Sequence, residues 1–274
     1  MTAYNTYLPI AIQAAISAGK IILEIYNNKN DDFEIKLKAD RSPLTKADRL
    51  AHKDIISYLK KTSLPVLSEE GTSISYEERK KWKLFWLVDP LDGTKEFINR
   101  NGEFTVNIAL ISEGVPVLGV IYIPVSQTLY WGVEGEGAFK VMNITIDKKQ
   151  WAEQKIPLPL PEKHDGIVVV ASRSHSNRET EEYIDKLSTQ DKPVQLIMAG
   201  SSLKITLVAE GKADVYPRFA PTMEWDTAAG HAIIRSVGLE IYQAGTNQPL
   251  IYNKENLLNP WFIVQKESFE IEHK

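Results

Sequence analysis

The chain of 274 residues contains no cysteine, which excludes disulfides, zinc thiolates, iron–sulfur clusters and thiol nucleophiles. A reducing cytoplasm suits such a sequence. Excess positive charge is missing as well: 32 Lys and Arg stand against 36 Asp and Glu, a formal charge of −4. Without a long basic stripe there is no phosphate-backbone footprint, and a nucleic-acid polymer is not expected as a partner. Residues 1–19 lack the basic start, apolar run and small-residue cleavage site of a signal peptide, so the chain is expected to stay where it is made. No apolar stretch of the ~20 residues that span a bilayer stands out. Runs such as 167–171 are strand-sized, and no integral membrane segment is expected. Internal repeats and low-complexity segments are lacking too.

What is present is the composition of an ordinary folded protein: 43% hydrophobic, 25% charged and 9% aromatic. At about 150 residues per domain, the length allows one large or two ordinary domains. Leu8, Ile12, Ala15, Ile22 and Tyr26 recur at helical spacing and predict an amphipathic first helix. A second helix is predicted over 46–61, capped by Thr45 and facing Ala51, Ile55, Tyr58 and Leu59 inward. Beyond Pro65 the pattern turns to strands, at 85–88, 105–111, 115–123 and 127–131, rich in β-branched and aromatic residues. Their close spacing predicts antiparallel pairing.

Residues 152–165 hold Pro157, Pro159 and Pro161 and so cannot run through a helix or a central strand. They are expected to connect an N-terminal α+β domain, 1–155, to a C-terminal α/β domain, 166–274. In the second part strands at 166–171, 194–198 and 213–216 alternate with helices around 180–187, 201–210 and 226–236. Further strands follow near Leu239 and Phe262, and the alternation is the α/β signature.

The most informative stretch is Asp89-Pro-Leu-Asp-Gly-Thr94. A buried strand is predicted to end at Asp89 because Pro90 cannot continue the ladder, and Gly93-Thr94 opens a turn with free N–H groups. Asp89 and Asp92 repel unless a cation lies between them, and hard oxygen ligands select Mg²⁺ or Mn²⁺. An acidic turn built on Asp92-Gly93 explains the same residues without a metal. Other acidic positions are equally two-sided. Glu69-Glu70 follows an apolar run and reads alone as a solvated loop, Asp226 in Trp225-Asp-Thr-Ala-Ala-Gly230 as an N-cap, and Thr45-Lys-Ala-Asp48 as a capping box.

Taken together, in this order, these segments resemble the lithium-sensitive, magnesium-dependent phosphomonoesterases of the inositol monophosphatase and bisphosphate nucleotidase superfamily. The resemblance covers the chain from the first helix to about residue 240. It implies a layered αβαβα sandwich of the inositol monophosphatase and fructose-1,6-bisphosphatase type. It implies two or three Mg²⁺ ions, which Mn²⁺ can replace, held by Glu69, Asp89, the carbonyl of Leu91, Asp92 and Asp226. Glu69, Asp48 and Thr94 are implied as the catalytic residues, the last two orienting or deprotonating the attacking water. The physical requirement agrees: a phosphate monoester needs an in-line nucleophile and neutralised charge. The amides of Gly93 and Thr94 can hold the phosphate.

Three later segments bear on the substrate. Ala171-Ser-Arg-Ser-His175 closes a strand with polar groups, Ala199-Gly-Ser-Ser-Leu-Lys204 opens a helix, and Asp214-Val-Tyr-Pro-Arg218 ends a strand with a guanidinium. Polar loops, a plain Ser cap and surface cations are their ordinary explanations. They resemble the branch of the superfamily that hydrolyses adenosine 3',5'-bisphosphate to AMP and phosphate. By that resemblance His175 lies beside the nucleotide, Ser201, Lys204 and Arg218 hold the uncleaved 5'-phosphate, and Asp226 also meets substrate. The same site is expected to accept 3'-phosphoadenosine 5'-phosphosulfate, clearing by-products of sulfate activation. An inositol-monophosphatase-like enzyme of broad specificity and a non-catalytic nucleotide or metal sensor are the alternatives. A small nucleotide is the expected partner, for a monomer or a homodimer in the cytoplasm, with peripheral association at the inner face of the cell membrane left open.

Overall fold

In a computed structural model, residues 3–28, 32–38, 43–144, 150–161, 165–173, 177–188 and 193–265 are described. Helix α1 (Leu8–Asn27) buries Leu8, Ala11, Ile12, Ala15, Ile22 and Ile25, the face that its apolar spacing defines. A two-stranded hairpin, β1 (Lys36–Leu37) and β2 (Pro43–Leu44), leads into α2 (Lys46–Leu59). Thr45 and Asp48 form the expected capping box at its start. The stretch 3–27 is long and apolar enough to cross a membrane, which corrects the expectation that no such stretch exists. More than half of its most apolar window is buried, because α1 packs on α2 and on the first sheet as a core helix.

That sheet has seven strands: β3 (Val66–Ser68), β4 (Leu84–Asp92), β5 (Thr105–Ser112), β6 (Val115–Ile123), β7 (Thr128–Val133), β8 (Gly137–Val141) and β9 (Ile156–Leu158). They lie in sequence order, antiparallel throughout except for the parallel pair β3 and β4. Short helices α3 (Tyr76–Arg79), α4 (Thr94–Ile98) and α5 (Gln150–Glu153) fill the connections. The proline-rich stretch is more than a connection. It supplies β9, which proline tolerates because it is an edge strand, so the first sheet runs to Leu158, past residue 155.

The second part contains β10 (Ile167–Ser172), α6 (Arg178–Ser188), β11 (Val194–Ala199), α7 (Leu203–Glu210), β12 (Val215–Arg218), α8 (Glu224–Ser236), β13 (Glu240–Gln243) and β14 (Phe262–Gln265). Its five-stranded sheet has the order β11-β10-β12-β14-β13, parallel over the first three strands. Helices α1 and α2 cover one face of the large sheet, α7 and α8 pack between the sheets, and α6 covers the outer face of the small one. This is the αβαβα order that the resemblance implied.

Helix α8 approaches the large sheet over a patch without side chains. Gly119 and Gly132 face each other across β6 and β7. A Cβ on Gly119 would lie 2.1 Å from the carbonyl oxygen of Ala229, and one on Gly132 would lie 2.8 Å from the Cα of Ile233. The glycines therefore set how closely α8, and with it Asp226, sits to the end of β4.

Candidate active site

Side chains three residues apart in a regular strand point to opposite faces. Asp89 pairs with Asn107 and Asp92 with Thr105, so β4 carries one extra residue between them. This bulge corrects the expectation that the strand stops at Asp89. Pro90 sits where no ladder hydrogen bond is required, and the offset returns both carboxylates to one side. Asp89 turns back to accept the N–H of Leu91 at 3.0 Å, and Gly93 follows at φ 92°, a conformation that favours glycine.

Two further chain segments bring carboxylates to this end of the sheet. Glu69 leaves β3 beside β4, its N–H on the carbonyl of Val88 at 3.1 Å. Asp226 is not the N-cap that its sequence context predicted. Helix α8 begins at Glu224, so Asp226 is its third residue, and its Oδ2 accepts the N–H of Met223 at 2.9 Å. Burial, then the charges of Glu69, Asp92 and Asp226, hold the Asp89 carboxyl well above the usual range; burial, then Asp92 and Glu69, do the same for Asp226. The set is all oxygen, with a backbone carbonyl at Leu91 and no histidine among the described residues lining the cavity. Such a donor set fits a hard divalent cation. Among the described residues no three acidic side chains already converge on one coordination point. Glu69 is instead turned onto Lys38, whose ammonium donates to it at 2.7 Å and also to Glu70.

Asp48 reaches the same site from α2. Its Oδ2 accepts both the N–H and the hydroxyl of Thr45, and its Oδ1 accepts the hydroxyl of Thr94 at 3.2 Å. Burial raises its pKa to about 6. Thr94 Oγ1 is also 3.4 Å from the carbonyl of Leu91, so the acid, the hydroxyl and the carbonyl expected at the site are neighbours.

A cavity of about 470 Å³ opens on this cluster, and Glu69, Asp92, Gly93, Thr94 and Asp226 line it together with Lys204, Tyr216 and Arg218. The Lys204 ammonium is buried, donates to the carbonyl of Ser201 at 2.6 Å and lies 5.6 Å from the Tyr216 ring centre. Burial lowers its pKa to about 8. Arg218 donates to the carbonyl of Pro221 at 3.1 Å, while its Nε is buried without a hydrogen-bond partner. Ser201 lines the cavity too, but its hydroxyl donates to Asp92 Oδ2 at 2.7 Å. His175 lies outside the described residues.

Sequence reasoning missed three contributors. Lys38 has no signal beyond its charge. Ser202, beside Ser201, donates to Asp92 Oδ2 at 2.6 Å, and Asn107 donates to Ser202 at 2.8 Å. A lone amide inside the otherwise mostly apolar strand Thr105–Ser112 is the signal that could have found Asn107.

Comparison with known proteins agrees with this architecture. The model of the inositol monophosphatase family matches residues 4–268. The 3'(2'),5'-bisphosphate nucleotidase CysQ of Shigella flexneri is 44% identical over 257 residues, 92% of this chain and 96% of that protein. The CysQ of Haemophilus influenzae is 36% identical over 97% of this chain and 94% of its own length. The crystal structure of CysQ from Bacteroides thetaiotaomicron, a bacterial member of the inositol monophosphatase family, superposes with a TM-score of 0.88 at 56% identity, covering 96% of this chain and 98% of that one. The chain belongs to the inositol monophosphatase family.

Proposed function

We propose that this chain is a Mg²⁺-dependent 3'(2'),5'-bisphosphate nucleotidase that hydrolyses adenosine 3',5'-bisphosphate to AMP and phosphate. 3'-Phosphoadenosine 5'-phosphosulfate is a second substrate of the same site. One observation carries the reading: three carboxylates, Glu69, Asp92 and Asp226, line a cavity that also holds two cations, Lys204 and Arg218, and a fourth, Asp89, is buried against them. A monophosphate of a sugar or cyclitol has no fixed second anion to match those cations, whereas a bisphosphate does. The nucleotidases that are 44% identical support the same substrate class.

Glu69, Asp89, Asp92, Asp226 and the carbonyl of Leu91 would hold two or three Mg²⁺ ions, or Mn²⁺ in their place. Bound there, the metal neutralises charge on the phosphoryl oxygens and lowers the pKa of water. Thr94 donates its one proton to Asp48, so its lone pairs are free to accept a proton of a water and aim that water at phosphorus. Asp48, with Oδ2 held by Thr45, receives through Thr94 the proton that the water releases as the new P–O bond forms; as the bond to the 3'-oxygen breaks, that oxygen takes a proton from a second water and leaves as the 3'-hydroxyl of AMP. Direct attack needs no phosphoenzyme and inverts the phosphorus. Gly93 and Thr94 line the cavity beside the acids and contact the transferred phosphate. Arg218 Nε is buried and unpartnered, so an anion that reaches it satisfies a donor that otherwise costs free energy. Lys204 adds a second donor, and with its hydroxyl on Asp92, Ser201 contacts the 5'-phosphate through its remaining lone pairs only by way of water. The enzyme acts in the cytoplasm as a monomer or homodimer.

The test is phosphate release from adenosine 3',5'-bisphosphate and from inositol 1-phosphate, each with Mg²⁺ and with excess chelator. Chelator-sensitive release that favours the nucleotide is expected. A preference for inositol 1-phosphate would keep the carboxylate site and overturn the roles of Lys204 and Arg218. Nucleotide binding without release from either ester would make the chain a sensor.

A further inference from the structure

Glu103, Thr105 and Asn107 alternate along the entry to β5, at the two-residue period that places side chains on one face. Each meets a successive residue of the turn 200–202, which belongs to the other half of the chain. Glu103 Oε2 accepts the N–H of Gly200 at 2.8 Å, Thr105 Oγ1 lies 2.9 Å from Ser201 Oγ, and Asn107 Nδ2 donates to Ser202 Oγ at 2.8 Å. Arg173 holds Glu103 from the far side with N–H bonds of 3.0 and 2.8 Å. The seat is tight, since a Cβ on Gly200 would lie 2.9 Å from Glu96 Cγ.

The product of this ladder is the direction of two protons. A carboxylate only accepts, so the hydroxyls of Ser201 and Ser202 both donate to Asp92 Oδ2, at 2.7 and 2.6 Å. Asn107 occupies a lone pair of Ser202 and leaves that serine's proton for the acid. Among the described residues no hydrogen bond reaches Asp92 Oδ1. Asn107 Nδ2 also lies 3.4 Å from Oδ2, so one oxygen is held by three donors and the other is left for the cavity.

We propose that Ser202 and Asn107 are positioning residues for Asp92, fixing its carboxylate so that Oδ1 is presented to Mg²⁺ in a single orientation. This rests on the reading of Asp92 as a metal ligand. Partners that orient a metal ligand from behind typically contribute about 10–100-fold to metal affinity. The same turn leads into α7, whose Lys204 donates back to the carbonyl of Ser201, so the ladder also sets the distance between the metal side and the cation side of the cavity.

The experiment is calorimetric titration of Mg²⁺ into the full-length chain and into Ser202→Ala, Asn107→Leu, Asp92→Asn and Thr62→Ala, with the Tm of each measured alongside. Thr62 bonds Trp86 Nε1 at 3.0 Å and serves as a purely structural control. Ser202→Ala and Asn107→Leu are each expected to weaken Mg²⁺ binding about tenfold, and Thr62→Ala to lower Tm without changing it. Wild-type Mg²⁺ affinity in both ladder variants, with Asp92→Asn impaired, would overturn the positioning role alone. Affinity that merely follows Tm, in Thr62→Ala as in the ladder variants, would overturn it as well. Unchanged affinity in Asp92→Asn would overturn the metal-ligand reading beneath it.

Discussion

Arg218 and Asp92 lie in one cavity with opposite tasks, and their variants separate binding from turnover. Arg218→Ala removes a donor to the uncleaved phosphate, a charge-assisted contact of about 1.5–3 kcal/mol, so KM for the bisphosphate should rise about tenfold or more. KM for a monophosphate should change little, and equal effects on the two substrates would contradict the assignment. Asp92→Asn keeps the shape of the side chain and removes its charge, so kcat should fall by at least about a hundredfold. A variant with near-normal kcat would remove Asp92 from the metal site. The acids were legible in the sequence only as an ordered set, through the family resemblance, because each one alone has an ordinary explanation as a turn, loop or cap. Ser201 was not: its motif suggested a phosphate contact, but its proton goes to Asp92, over a hundred positions earlier in the chain. Lys38 was illegible for the same reason, since only the folded hairpin brings it to Glu69.

At the scale of elements, the bulge in β4 and the seat of α8 decide whether the acids meet. Pro90 announced an interruption in the strand, but not that one extra residue would restore pairing and turn Asp92 to the side of Asp89. Gly119 lies in a run that any β-branched residue would suit, and only the approach of α8 explains its lack of a side chain. Gly119→Ala must push α8 away from the sheet. A loss of about 1–3 kcal/mol or more is expected in denaturant unfolding, accompanied by weaker Mg²⁺ binding because Asp226 moves with the helix. Loss of stability with unchanged Mg²⁺ affinity would show that the helix adjusts locally instead. The C-terminal half of α8 carries a separate device. His231 is fully buried, with Nδ1 2.9 Å from the Tyr252 hydroxyl and Nε2 bonded to Glu240, which Arg235 also contacts at 2.8 Å. Burial keeps the His231 pKa below 6.5, whereas bonds from His231 hold Glu240 low in spite of burial. Below pH 6.5 the unfolded chain takes up a proton that folded His231 refuses, so stability should fall with pH at up to about 1.4 kcal/mol per unit. Glu240 stabilises above its unfolded value of 4.5 and adds a further loss only at lower pH. His231→Gln should remove this contribution between pH 7 and 5, read as the difference in slope from the parent chain, because half-buried His52 adds a smaller loss of the same sign while the raised Asp48, Asp89 and Asp226 carboxyls act in the opposite direction in both proteins. An unchanged slope would place the titration elsewhere.

The whole molecule joins its two halves through one apolar core. Leu67, Phe85 and Ile121 of the large sheet, Ala229 and Ile233 of α8, and Val168, Tyr216 and Phe262 of the small sheet form a single buried cluster. The alternation of strands and helices after residue 166 made the second half legible, and the strand run after Pro65 made the first. The layer order was not readable from periodicity, because an apolar face in the sequence does not name the face it meets; the family resemblance supplied it. Polar bonds cross the same boundary, with the Arg79 guanidinium on the carbonyls of Lys254 at 2.5 Å and Glu255 at 2.7 Å, and Lys140 on Glu210 at 2.9 Å. We propose that 1–155 and 166–274 are two chemical halves of one folding unit, the first supplying most of the acids and the second the cations that select the ester. Separated, each half would expose the faces that now cover one another, at about 25 cal/mol for every Å² of apolar surface returned to water. The intact chain should therefore unfold in one cooperative transition, followed by both fluorescence and circular dichroism, and neither fragment should show a cooperative transition when expressed alone. A fragment 166–274 that unfolds cooperatively by itself would establish an independent domain. Asp226 would then reach the metal site by docking of one finished domain on another, and Mg²⁺ affinity would depend on fragment concentration when the halves are mixed.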